Sequence, residues 1–174
     1  EGGFEEVLNG ALNNGDRHVA LILDHTNIPA TSYILVNAFA NEETWSVPFD
    51  GLMTLNGSVR GRNGGVRGNC IYYNENTPTT GNEVGVQVTT IANANVGKAF
   101  LFLHGWTGLR SGNIVINVQS SPDNSTWTTI ATFTMTEARS QVEPVTFTGG
   151  YIRVNVSSMG GTTNLNYSLI VSEN

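Results

Sequence analysis

Between Val84 and Ser172 the chain is a succession of short β-branched and aromatic runs, each closed by turn residues: "VGVQVTTIA", "KAFLFLHGW", "NIVINVQS", "STWTTIATFTM", "EPVTFTG", "YIRVNVSS" and "NLNYSLIVS". Strand-like runs at this spacing point to a compact all-β sandwich of about 90 residues. The expected fold class is mainly β: a sandwich or meander with one short N-terminal α-helix, followed by a C-terminal antiparallel β-sandwich of Ig-like or jelly-roll-like type. Side chains alternate across a strand, so Ile114, Ile116 and Val118 share one face, Pro122 to Ser125 make a turn, and Trp127, Ala131, Phe133 and Met135 share a face of the next strand. This parity predicts Trp127 and Phe133 as core anchors. Ile130 has the wrong parity, which requires either a bulge between Thr128 and Ile130 or a change of sheet.

The first half reads differently. Phe4, Val7, Leu8, Ala11 and Leu12 recur at helical spacing, with Glu5, Glu6 and Asn9 on the opposite side, which predicts a short amphipathic helix. Strand-type runs follow at Arg17 to His25, Thr31 to Phe39 and Glu43 to Phe49. Asn-Gly pairs at Asn56 and Asn63 mark hairpin turns. Apolar residues then vanish from Asn74 to Glu83, a linker-like stretch that suggests two parts: residues 1–78, a helix plus antiparallel strands, and residues 79–174, the sandwich.

Composition narrows the chemistry. Only 13% of the 174 residues are charged, and the net charge is −6, so the long-range field repels phosphate and anionic lipid. Specific nucleic-acid binding and membrane binding are not expected. Cys70 is the single cysteine, which excludes an internal disulfide and a thiolate metal cluster. No apolar run has the length of roughly 18–20 residues that a bilayer-spanning helix needs.

His18, His25 and His104 are the only histidines, and none has a second metal-type ligand at useful strand spacing. Asp24 adjoins His25, but strand neighbours point to opposite faces. "GNC" at Cys70 lacks a nucleophile signature. Glu42 with Glu43, and Glu5 with Glu6, read as exposed turn and helix-start charge rather than an acid–base pair. No catalytic residue, metal site or cofactor is expected. Arg60, Arg62 and Arg67 form the only basic cluster, interleaved with glycines; as one loop they form a candidate subunit interface, pairing with carboxylates on a neighbour, or a solvated loop. Trp45, Trp106 and Trp127 would serve as sugar-stacking platforms if exposed, with core burial as the expected state. N-x-S/T triplets at Asn56, Asn124, Asn155 and Asn166 matter only in a eukaryotic secretory route.

"SGNIVINVQSSPDNSTWTTIATFTM", followed by "VEPVTFTGGYIRVNVSSMGGTTNLNYSLIVS", resembles the C-terminal β-sandwich of major tail (tail tube) proteins of long-tailed bacteriophages. The "FEEVLNGAL" helix and the runs "HVALILDH" and "TSYILVNAF" are consistent with the upstream half of such subunits. Similar tube proteins carry further strands and a long hairpin before that helix, and here almost nothing precedes Phe4. The resemblance implies a non-enzymatic virion structural protein, a homo-oligomer as ring or trimer, contacting other virion proteins and assembled in the host bacterial cytoplasm. The alternative is a capsid decoration protein or a host-surface glycan-binding module built from the same parts.

Overall fold

The computed structural model describes residues 17–22, 28–46, 54–61, 65–77 and 79–173. Their elements are all strands: β1 (Arg17–Ile22), β2 (Ala30–Ser46), β3 (Thr54–Gly61), β4 (Gly65–Thr77), β5 (Gly81–Asn82), β6 (Val86–Gln87), β7 (Val96–Thr107), β8 (Ile114–Ser121), β9 (Thr128–Met135), β10 (Ser140–Thr146), β11 (Tyr151–Met159) and β12 (Asn164–Glu173). The mainly-β expectation therefore holds for the described residues. The helix expected over Phe4 to Leu12 lies outside them.

The chain divides into two compact units, residues 1–21 with 33–66, and residues 22–32 with 67–174. In the first, β2 pairs antiparallel with β3. Two strands were expected here with a break at Ala40 to Glu42. The chain instead runs through as one 17-residue strand, and the polar interruption becomes a register shift between Ala40 and Glu42. Asn56-Gly57 is not a turn either: Asn56 stands opposite Thr44 and Gly57 opposite Glu43. The pairing of the longer β2 outweighs the local hairpin preference of two residues. Asn63 lies outside the described residues.

The second unit is the sandwich. One sheet carries β4, β12, β7 and β10 in that order, and the other carries β5, β11, β8 and β9, with β6 also on β11. Because β4 pairs along β12 from Thr77 back to Asn69, residues 67–77 belong with the sandwich rather than before a boundary at residue 78. The expected first strand, "VGVQVTTIA", is strand only at Val86–Gln87.

Strand chemistry explains the layering. Ile114, Ile116 and Val118 on β8 face Phe133 and Met135 on β9 and Ile152, Val154 and Val156 on β11, and all are fully buried or nearly so. Ala99, Leu101 and Leu103 of β7 stand opposite Val171, Leu169 and Tyr167 of β12 and close the same core from the other sheet. Each such large aliphatic or aromatic side chain contributes on the order of 1.5–3 kcal/mol by leaving water. The central strands β7 and β12 are continuous apolar runs because both their faces are covered: Phe100 and Ile170, on the side away from this core, are also 0% exposed. Tyr72 and Tyr167 stack with centroids 4.8 Å apart.

Candidate binding face

The site begins with a one-residue irregularity. On β9, Ala131 stands opposite Val118, but Thr129, not Ile130, stands opposite Gln119. Ile130 is the extra residue of a bulge between Thr129 and Ala131, which decides between the bulge and the change of sheet that its parity left open. A bulge reverses the alternation on its far side. Phe133 stays inward at 0% exposure. Trp127 is turned to the outer face of the smaller sheet, half-buried and outside the core. Trp127 as a core anchor is thus corrected, and the physical cause is the bulge.

The turn before it is tied down. Asp123 Oδ1 accepts from the backbone N–H groups of Thr126 (2.7 Å) and Ser125 (2.9 Å), and the Ser121 hydroxyl donates to it at 2.9 Å. These bonds, the Thr126 and Ser125 amides foremost, hold the Asp123 carboxyl below the usual carboxylate range. Asn124 adopts φ +58°, a left-handed conformation that asparagine tolerates. A Cβ on Gly149 would overlap the backbone of Pro122 and Ser121, so the loop base is packed directly on Gly149. Its far end rests on Gly85, where a Cβ would meet Asn124 Oδ1 and stand 2.7 Å from Trp127 Cη2.

Trp127 meets Arg153 on this face. The Arg153 Cζ lies 4.2 Å from the ring centroid, a cation–π geometry. Arg153 Nε donates to Gln119 Oε1 at 2.7 Å, and Gln119 Nε2 donates to Thr129 Oγ1 at 3.3 Å. This row crosses β11, β8 and β9. A second row lies beside it. Thr132 Oγ1 donates to Asn117 Oδ1 (2.9 Å), Asn117 Nδ2 to Asn155 Oδ1 (3.1 Å), and Asn155 Nδ2 to Asn82 Oδ1 (2.8 Å). Along a strand, same-face positions are about 6.6–6.8 Å apart, so the two rows form a flat polar field on four strands. Among the described residues the one ion pair is Arg139 with Glu137, at 3.1 Å. Arg153 therefore has no carboxylate partner there, and partial burial draws its pKa downward.

The other expected site residues are dispersed. Arg60 lies on β3 opposite Phe39, Arg62 is outside the described residues, and Arg67 is an exposed residue of β4. Arg60 and Arg67 sit on different strands in different units, so the expectation of one interface loop joining them is replaced by two strand positions. Trp106 is half-buried against the core, with Arg110 Cζ 5.9 Å from its ring. His104 is exposed, 3.1 Å from the Ser168 hydroxyl. The described residues contain no group of three metal-type ligands. An open groove of about 620 Å³ between the β9 and β10 edges is lined by Val96, Thr128, Ile130, Pro144 and Val145, among others, none of them titratable.

No protein-family model, curated protein or solved structure matches the chain. The sequence carries a signal for this polar face that strand-run reading alone does not use. Asn117 and Gln119, and Arg153 and Asn155, occupy alternate positions of two strands, next to the inward-facing Ile116, Val118, Ile152, Val154 and Val156.

Proposed function

We propose that this protein is a non-enzymatic structural component of a bacteriophage virion, a subunit of the tail-tube type that assembles into stacked rings. The observation that supports the reading is the way its resembling stretch is organised. The S-P-D-N-S-T-W hairpin, the Y-I-R strand and the last strand all lie in one sandwich, whose sheets end, among the described residues, at the edges of β9 and β10. Such edges are covered or paired in stable assemblies. Electron microscopy of the purified chain tests it: rings or tubes with a central hole are expected, and particles that stay monomeric across concentration and salt would refute it.

The polar field around Arg153 favours a second reading, a capsid decoration or host-surface module that binds glycan. Amides, hydroxyls and a guanidinium held in two hydrogen-bonded rows match a polyhydroxylated ligand better than an apolar one.

A further inference from the structure

We infer that the outer face of the smaller sheet binds an acidic sugar, with the Arg153 guanidinium taking the carboxylate and the Asn117–Asn155–Asn82 row taking ring hydroxyls. The inference rests on the glycan-binding reading and assigns its ligand class.

Arg153 is positioned before any ligand arrives. Its guanidinium lies over Trp127, whose ring rests in turn on Gly85, and its Nε is committed to Gln119. Long cationic side chains lose rotamer freedom when they grip a ligand, and here that ordering is already in place. With Nε engaged, the terminal Nη groups remain as donors, and their planar fork suits a carboxylate. A half-buried cation without a carboxylate neighbour among the described residues is a group whose charge awaits a partner.

The second row supplies the rest of the recognition. Asn82 accepts from Asn155 through Oδ1, so its exposed amide nitrogen keeps both N–H groups. Asn117 uses one N–H on Asn155 and accepts from Thr132. Both carry fixed donors with unused capacity at the surface, an arrangement that reads hydroxyls. An acidic peptide is the less suitable partner, because protein interfaces centre on a desolvated apolar or aromatic anchor, and Trp127 is already occupied by Arg153 and Gly85. The net charge of −6 disfavours dense polyanions. At physiological ionic strength charges beyond about 8 Å are screened, so an isolated carboxylate is governed by Arg153 locally.

The experiment is calorimetric titration of the whole chain with the methyl glycoside of galacturonic acid, with the methyl ester of that glycoside, and with an N-acetylated, C-amidated Gly-Glu-Gly peptide that carries one carboxylate. Saturable binding of the acid, at least tenfold tighter than the ester or the peptide, is expected. Arg153→Gln should remove that preference at unchanged far-UV circular dichroism, whereas Arg139→Gln, away from this face, should leave it intact. Equal affinity for acid and ester would overturn the carboxylate assignment while leaving glycan binding standing. No affinity for either sugar would overturn both. Peptide binding as tight as the sugar acid would replace the saccharide with an acidic protein partner. Should Arg153→Gln fail to fold, the acid–ester comparison on the unaltered chain decides the matter.

Discussion

Phe133 and Trp127 lie on one stretch of chain, and their truncations are expected to differ because a bulge separates them. Phe133 is 0% exposed and packs among Ile116, Met135 and their neighbours. Phe133→Ala removes a whole buried ring and leaves a cavity, at a cost of about 3–5 kcal/mol. Trp127 is half-buried and contributes its contact with Gly85 and its cation–π contact with Arg153. That contact is worth about 0.5–2 kcal/mol, from exposed to desolvated sites. Trp127 is partly exposed and lies outside the core cluster, so Trp127→Ala should cost less than Phe133→Ala, about 2 kcal/mol in all. Urea unfolding followed by far-UV circular dichroism avoids the fluorescence change that losing an indole brings, and the midpoint at constant slope reports the difference. For a chain of this length each 1 kcal/mol corresponds to about 2–4 °C in Tm, so melting should show the same order. A Trp127→Ala loss equal to that of Phe133→Ala would place the indole in the core and refute the assignment of the bulge.

Further outcomes concern the loop and the buried groups. Gly149→Ala must push a Cβ into the backbone of Pro122 and Ser121, which cannot rotate away, so a loss of about 3 kcal/mol, the upper end of the usual overpacking cost, is expected in thermal unfolding. The Asp123 carboxyl is held below its ordinary 3.8, so the unfolded chain binds the proton more readily. Its stabilising contribution is complete above about pH 4 and is lost as pH falls toward the lower folded value; the stability difference between the parent and Asp123→Asn should therefore shrink below about pH 4 in acid titration. Cys70 is fully buried, and burial pushes its thiol up to about 11, leaving about one thiolate in a thousand at pH 8. It should resist a thiol reagent in the native state and react at once in denaturant. The Tyr167 hydroxyl is buried beside the Tyr72 and Thr77 hydroxyls, which bond each other at 3.1 Å, and makes no well-formed hydrogen bond among the described residues, so Tyr167→Phe should cost no more than about 1 kcal/mol in urea unfolding.

Much of the sandwich was legible because strand parity is a local property. Ile116 and Val118 alternate with Asn117 and Gln119, and Ile152, Val154 and Val156 with Arg153 and Asn155, and the apolar set faces the core in space. The parity defect at Ile130 called for a bulge or a change of sheet, and strand pairing shows the bulge. The Asn56-Gly57 turn failed because a two-residue preference competes with the pairing of a 17-residue strand, which no local window contains.

The sequence by itself determined the class of fold, the strand content of the second half and the inward faces of β8 and β11, since alternation and turn chemistry act within a few residues. The tertiary structure alone decided which way Trp127 points and what it touches. Inserting Ile130 reverses alternation for every residue on its N-terminal side, and only strand pairing then brings Arg153, distant in sequence and bonded to Gln119, over the indole. The polar face around Arg153 is a product of that pairing, because sheet neighbours are set by register rather than by position along the chain.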